Sequence, residues 1–133
     1  LEDKFPDAAL YSGTPEQQGK ARDLERIIDL RIGGPMGAYG HATKSPLGRP
    51  PEPEKAAQYL KALQTPLDLL ERLLSDERPL LGGDHVNVAD CTMQASLQFM
   101  RFIEADVFGD RPLLRAWDKR YRERPAAQTV LKW

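Results

Sequence analysis

Five side chains in this sequence could carry chemistry: Cys91, the imidazoles of His41 and His85, and the carboxylates of Asp84 and Asp90. A thiolate is a nucleophile, imidazoles bind metals, and two carboxylates can act as acid and base. Cys91 lies in an apolar stretch with no His or Lys beside it, which predicts a small packing residue. The histidines lack the i, i+4 spacing of a helical metal site. The sequence therefore predicts no catalytic group and no metal site.

The two aspartates have a structural interpretation instead. The Asn87 side chain can accept a hydrogen bond from the Asp90 amide, and the Asp90 carboxylate can accept one from the Asn87 amide. This reciprocal pattern is a capping box, and Val86 and Cys91 occupy the two positions of a hydrophobic staple around it. We therefore interpret Asp90 as a capping residue that stabilises the fold, and Asp84 as a turn residue.

The first helix of the chain is predicted to have Thr14 as its N-cap and Pro15 at its first position, and Gln17 three residues after the cap completes the helix-start signal. Its buried stripe consists of apolar residues at helical spacing: Leu24, Ile27, Ile28, Leu30 and Ile32. Gly33-Gly34-Pro35 should end it. Residues 36–53 contain four prolines and three glycines, which predicts a loop, with a helical turn as an option. A Pro-rich loop can also be a ligand of SH3-type domains, but a connector explains the composition equally well.

Two apolar helices are predicted next. Beyond residue 54, apolar positions alternate steps of four and three: Ala56, Leu60, Leu63, Leu67, Leu70 and Leu74. Pro66 lies inside this helix, so we expect a kink there, or two helices that meet at Thr65-Pro66. The capped helix should run from Val88 to about Glu104, and its wide apolar circumference predicts the central, most buried position.

Two further helices complete the expected fold. The first follows Gly109-Asp110-Arg111-Pro112, and its core face should contain the following side chains: Leu113, Leu114, Trp117 and Tyr121. Pro125 should start a short terminal helix that carries Val130, Leu131 and Trp133. No stretch alternates apolar and polar residues as a strand would. The sequence therefore predicts an all-α bundle of five to six helices.

Composition excludes several classes of function. At 133 residues the chain is one domain, and its net charge of -1 gives no electrostatic reason to expect nucleic acid or an anionic membrane as a partner. The cations of residues 115–124 are interspersed with Asp118 and Glu123, which is typical of a solvated helix face. No stretch approaches 18 uninterrupted apolar residues, and no signal-peptide pattern is present. A cytoplasmic protein is expected.

One ordered set of motifs resembles a known family. Leu80-Leu81-Gly82-Gly83-Asp84 precedes Asn87-Val88-Ala89-Asp90, and a Trp-bearing helix followed by Arg124-Pro125-Ala126 comes later. This order resembles the C-terminal helical domain of bacterial-type cytosolic glutathione transferases. The family usually has Ser or Thr at the cap position, and Asn87 is an equally good N-cap.

The resemblance implies a larger protein. Residues 14–133 correspond to the helical domain, and residues 1–13 are expected to be the linker from an N-terminal thioredoxin-like domain. No βαβ pattern for such a domain occurs in this sequence. In the family that domain binds glutathione, which is a co-substrate rather than a cofactor, so this chain alone should be inactive. The intact protein is expected to be a homodimer.

The resemblance also assigns a binding surface. In the family, the end of the first helix and the loop after it line the pocket for the hydrophobic electrophile, which projects here onto Ile32, Met36, Tyr39 and His41. A thioether and an aromatic ring form an adaptable apolar wall, and His41 can hydrogen-bond a ligand. The alternative is that Met36 and Tyr39 are packing residues and His41 is exposed.

Two other functions remain open from the sequence. Domains of this type also occur as non-catalytic interaction modules in translation factors and aminoacyl-tRNA synthetases, and a free-standing helical protein is a third option. An apolar cleft beside Met36 and Tyr39 would favour the enzyme. A filled core there would favour the interaction module.

Overall fold

The computed structural model describes residues 4–11 and 13–131. Its α-helices are α1 (Pro15–Ile28), α2 (Gly34–Thr43), α3 (Pro53–Leu73), α4 (Val88–Phe102), α5 (Pro112–Arg122) and α6 (Pro125–Val130). A π-helical turn at Asp29–Gly33 joins α1 to α2, and short 3-10 turns occur at Pro6–Ala8 and Leu74–Asp76. Within the described ranges there is no strand, only an isolated bridge between Leu80 and Gly83. The predicted all-α fold is confirmed.

One hydrophobic core holds these helices together. α2 packs against α3, α1 packs against α4, and the π-helical turn contacts both α3 and α4. The largest fully buried apolar side chains are the following: Trp117, Ile28, Ile32, Met36, Leu63, Leu67, Leu70, Leu81, Met93, Met100 and Leu114. The four-and-three spacing of α3 thus predicted its buried face, and α4 contributes buried residues at the same spacing. No helix in the described ranges is long and apolar enough to cross a membrane.

The start of α1 was predicted, whereas its end was not. The Gln17 amide donates to Thr14 Oγ1 at 3.3 Å, and the Thr14 amide donates to Gln17 Oε1 at 2.8 Å, which completes a capping box. Gly33-Gly34-Pro35 does not end the helix, and residues 36–43 of the predicted loop are helical. Gly34 has φ -57°, in the right-handed helical region.

The π-helical turn explains how the helix continues past this sequence. The Gly34 amide donates to the Asp29 carbonyl, five residues back, so the turn contains one residue more than an α-helical turn. Pro35 then falls in the first turn of α2, where a missing N–H is tolerated. The extra residue of this turn thus lets the helical backbone continue through three poor helix formers, Gly33, Gly34 and Pro35.

The remaining helices match the predictions, with exceptions at two side chains. α3 is a single helix through Pro66, as expected, and not the two helices of the alternative. Leu114, Trp117 and Tyr121 are buried as predicted, but Leu113 is 37% exposed because it lies one position off that face. Val130 of the short terminal helix is also exposed. The first three residues of the predicted linker, residue 12 and the predicted contribution of Trp133 lie outside the described residues.

Candidate functional site

The capping box at the start of α4 has the predicted geometry. Asn87 Oδ1 accepts hydrogen bonds from the amides of Ala89 at 2.9 Å and Asp90 at 3.4 Å. In return, Asp90 Oδ2 accepts one from the Asn87 amide at 3.1 Å. Side chains of the local sequence therefore satisfy the Ala89 and Asp90 amides of the first turn and the amide of the cap residue Asn87.

Asp90 has three further donors that the sequence did not reveal. Its carboxylate accepts from the Leu81 amide at 2.8 Å, the Gly82 amide at 3.0 Å and Trp117 Nε1 at 2.8 Å, and the residue is fully buried. Gly82 is required here, since a Cβ on it would lie 2.5 Å from the His85 carbonyl oxygen. Asp90 therefore joins α4, the loop at Leu81 and Gly82, and α5, and its full burial leaves it no exposed surface.

Two of the predicted substrate-binding residues lie inside the core. Ile32 and Met36 are both 0% exposed, so neither side chain has surface to offer a ligand. Tyr39 is partly buried against the same core. The core is therefore filled at Met36.

The other predicted residues, Tyr39 and His41, do not share a face of α2. They are two positions apart, which is about 200° around an α-helix. His41 is half-buried, and its Nδ1 lies 3.1 Å from Ser45 Oγ. Its ring centroid lies 5.3 Å from that of Phe99 on α4. The structure thus brings His41 to α4, and it does not gather the four predicted residues into one wall.

An aromatic row on α4 was not singled out from the sequence as a surface feature. Phe99 and Phe102 stack with centroids 6.3 Å apart, and Phe102 is 42% exposed. Together with His41 they form a continuous row that crosses from α2 to α4. The i, i+3 spacing of two phenylalanines was the available signal, but the contact with His41 depends on how the two helices pack.

A groove between the α1–α2 junction, which includes the π-helical turn, and α3 is the second apolar surface. Its volume is about 460 Å³, and it is lined by the following residues: Ile27, Leu30, Arg31, Pro35, Ala62, Thr65, Pro66 and Leu69. Leu30 is 55% exposed and Leu69 is 37% exposed. Large apolar side chains that share one open groove are typical of a surface that contacts a partner or ligand.

Buried charges elsewhere are paired within the protein. Arg101 forms an ion pair with Asp118 and hydrogen-bonds Gln94 at 3.0 Å, and burial lowers the pKa of its guanidinium. The Arg111 guanidinium donates to Asp68 at 2.6 Å and to Gln64 Oε1 at 3.0 Å. These contacts join α4 to α5 and the start of α5 to α3, so we interpret them as structural.

Cys91 has the environment of a packing residue. It is half-buried, and the Tyr121 hydroxyl donates to its Sγ at 3.6 Å. The pKa of Tyr121 is raised to about 12, mainly because the hydroxyl is buried and secondly because of this hydrogen bond. Over the described part of the chain, no group of three or more His, Cys, Asp or Glu side chains is arranged to hold a metal ion.

Comparison with known proteins gives a consistent result. A sequence model of the glutathione S-transferase C-terminal domain matches residues 53–120. Glutathione S-transferase 2 of Saccharomyces cerevisiae is 30% identical over 130 residues, which cover 92% of this chain and 54% of the yeast protein. The chain spans about half the length of the curated relatives that match most of it.

Solved structures agree with the sequence matches. A glutathione S-transferase domain-containing protein from Marinobacter aquaeolei is 27% identical, with a TM-score of 0.71 over 89% of this chain and 59% of its own. A glutathione S-transferase from Rhodospirillum rubrum has a TM-score of 0.85 over 100% of this chain and 61% of its own. Because the second match is only 20% identical, it shows a similarity of fold alone.

Proposed function

Because this chain belongs to the glutathione S-transferase C-terminal domain family, we propose that it is the helical half of a glutathione transferase. In the intact enzyme it lines the pocket for a hydrophobic electrophile. The family match over residues 53–120 is the observation that carries this proposal. The half-length coverage of the curated relatives supports a second, thioredoxin-like half that precedes the linker at residues 1–13.

The chemistry divides between the two halves. Conjugation joins the sulfur of glutathione to an electrophilic carbon, so the enzyme must lower the thiol pKa and hold the second reactant beside it. The thioredoxin-like half lowers the thiol pKa and binds glutathione as co-substrate. This half supplies an apolar wall, and by itself it is inactive and binds glutathione weakly.

Among the four predicted wall residues, we assign contact with the electrophile to Tyr39 and His41. Both retain exposed surface, whereas Ile32 and Met36 back the wall from inside the core. Tyr39 and His41 lie on different faces of α2. Each residue therefore contacts a different part of the bound electrophile. We place the protein in the cytoplasm. We further propose that it pairs as a homodimer through the groove between the α1–α2 junction and α3.

One observation favours a second candidate, a non-catalytic interaction module. The core is filled at Met36, where an enzyme pocket would leave a cleft. The exposed groove and the aromatic row would then contact a protein partner instead of enclosing a small molecule.

The test begins with the intact mass of the protein as its cell makes it. A mass well above the 15.0 kDa of this chain, together with conjugation of glutathione to an aromatic electrophile, supports the transferase. In that enzyme, Tyr39→Ala should raise KM for the electrophile several-fold and leave KM for glutathione unchanged, since only one wall is altered.

Tyr59→Ala is the matched control, because Tyr59 is a half-buried tyrosine on α3. It should change neither KM. An intact mass of 15.0 kDa without conjugating activity would instead support the interaction module. Micromolar binding of glutathione to this chain alone, measured by calorimetry, would contradict the proposed division between the two halves.

A further inference from the structure

The loop between α2 and α3 contains the longest run of exposed residues within the described ranges. Every residue from 46 to 55 is exposed, and Leu47 is 66% exposed. Residues 46–53, which we call the proline-rich segment, include Pro46, Pro50, Pro51 and Pro53. The whole of this segment is therefore accessible to another molecule.

Prolines hold the second half of the proline-rich segment extended. A proline ring fixes φ at about -65°, and the residue before a proline is confined to the β or polyproline II region. Each residue from Arg49 to Glu52 is a proline, precedes a proline, or both. Residues 49–52 accordingly belong to no helix or strand. Pro50 and Pro53 are three positions apart, which is the repeat of a polyproline II helix.

Backbone hydrogen bonds hold this segment on both sides of its extended part. Before it, the Gly48 amide donates to the Ser45 carbonyl at 3.1 Å. At its end, the Glu52 amide donates to the Ala42 carbonyl at 2.8 Å, and α3 begins at the next residue. A segment that is already extended and held loses little conformational freedom when a partner binds it.

The extended part also presents free hydrogen-bond acceptors. The carbonyl oxygens of Arg49, Pro50 and Pro51 accept no hydrogen bond from any residue that the structure describes. Aromatic-lined grooves bind proline-rich chains in this extended, fully solvated form. Tyrosine and tryptophan side chains in such a groove can pack on the proline rings and donate hydrogen bonds to the carbonyls.

Positive charge flanks the extended part. Lys44 and Arg49 are exposed, and neither forms an ion pair with the described part of the chain. Glu52 is the only acidic residue between α2 and α3, and it is paired with Lys55. The next acidic residue, Glu54, lies in α3. A partner with acidic side chains beside its groove would therefore complement the charge of this loop.

We propose that the proline-rich segment is the docking site of a protein domain that recognises polyproline II chains, of the SH3 or WW type. The aromatic groove of that domain takes Pro50, Pro51 and the exposed side chain of Leu47. Acidic side chains at the edge of the groove face Arg49. None of these residues lines the groove proposed for the dimer, so the two surfaces are distinct. The docking requires neither glutathione nor an electrophile, and it does not depend on the proposed transferase activity.

An array of purified SH3 and WW domains, probed with the fluorescently labelled chain, tests the proposal. At least one domain should bind saturably. When that domain is added to the ¹⁵N-labelled chain, NMR shifts should change for the amides of residues 44–54 and stay unchanged in α4 and α5. Failure of every domain to bind, or shift changes centred outside the loop, would overturn the proposal.

Arg49→Glu and Arg26→Glu form a matched pair of variants, because Arg26 is an exposed arginine on α1. Arg49→Glu should weaken binding of the domain at least about tenfold, since it places like charges opposite each other. Arg26→Glu should leave the affinity unchanged. Equal weakening by both variants would indicate general charge attraction and contradict the docking site.

Pro50→Ala tests the extended backbone separately from the charge. It should weaken binding several-fold, because the free segment is then less confined to the extended form. Pro50 is exposed and outside the helices, so its substitution should leave the circular dichroism spectrum of the chain unchanged. Full affinity of Pro50→Ala would contradict recognition of a polyproline II segment.

Discussion

Asp90 shows how one carboxylate can organise a helical domain. It caps α4. Its carboxylate also accepts hydrogen bonds from the Leu81 and Gly82 amides of the preceding loop and from the Trp117 indole N–H of α5. A buried carboxylate is costly unless its oxygens are hydrogen-bonded, and here both oxygens have donors. Trp117 also needs a partner, because its indole N–H is buried with the rest of the ring.

Asp90→Ala should therefore destabilise the folded chain by about 2–4 kcal/mol, since it removes a cap and leaves buried donors unpaired. The melting temperature should fall by roughly 10 °C in a domain of this size. Thermal unfolding followed by circular dichroism measures the change.

Asp84→Ala is the control for this prediction, because Asp84 is an exposed aspartate in the adjoining turn. It should shift the melting temperature little. An unchanged melting temperature for Asp90→Ala would refute the joining role assigned to its carboxylate.

At the scale of elements, the helix ends differ in how they satisfy their backbone groups. α5 has no side-chain cap of its own, and its Leu113 and Leu114 amides donate instead to the Glu71 carboxylate of α3 at 2.9 and 2.8 Å. Two residues beyond the end of α4 at Phe102, Glu104 has φ 60°, in the left-handed region, and the Ala105 amide donates to the Met100 carbonyl at 2.9 Å. Such a C-terminal turn favours glycine.

Glu104→Gly is expected to stabilise the domain by about 0.5–1 kcal/mol, because glycine adopts a positive φ without steric cost. Denaturant unfolding measures the change. Glu123→Gly is the comparison, because Glu123 is the exposed C-cap of α5 and has φ -72°. It should destabilise the domain or leave it unchanged. A loss of stability for Glu104→Gly would contradict the assignment of strain to Glu104.

At the scale of the molecule, the groove between the α1–α2 junction and α3 is the surface proposed for the homodimer. Leu30 of the π-helical turn is 55% exposed, although the sequence placed it in the buried stripe of the first helix. This exposed side chain therefore contributes little to the core of this chain. A second copy would remove that surface from water.

Leu30→Glu should therefore weaken dimerisation of the intact protein at least about tenfold, because an unpaired charge would be buried in the interface. Sedimentation velocity over a range of concentrations measures the dissociation constant. Leu47→Glu is the control, since Leu47 is 66% exposed in the loop between α2 and α3. A dimer that survives Leu30→Glu with unchanged affinity would place the interface elsewhere.

Local sequence specified the starts of α1 and α4 and the buried face of α3. Thr14 with Gln17 and Asn87 with Asp90 specify two capping boxes within four residues each, and the period of α3 specifies its buried face. These features are local, since caps and periodicity depend on neighbours three or four positions away. The all-α fold follows from them.

Tertiary structure decided what lies beyond that range. Gly33 remains helical in a turn that packs against α4, where a Cβ on it would lie 2.9 Å from Ser96 Oγ. Asp90 gains Trp117 from 27 residues away, and Met36 enters the core although its surroundings predicted a loop. Each outcome depends on which helices pack together. A glycine and proline segment can be a loop or a helix by its own propensity, and the neighbouring helices select between the two because only the helix fills the core.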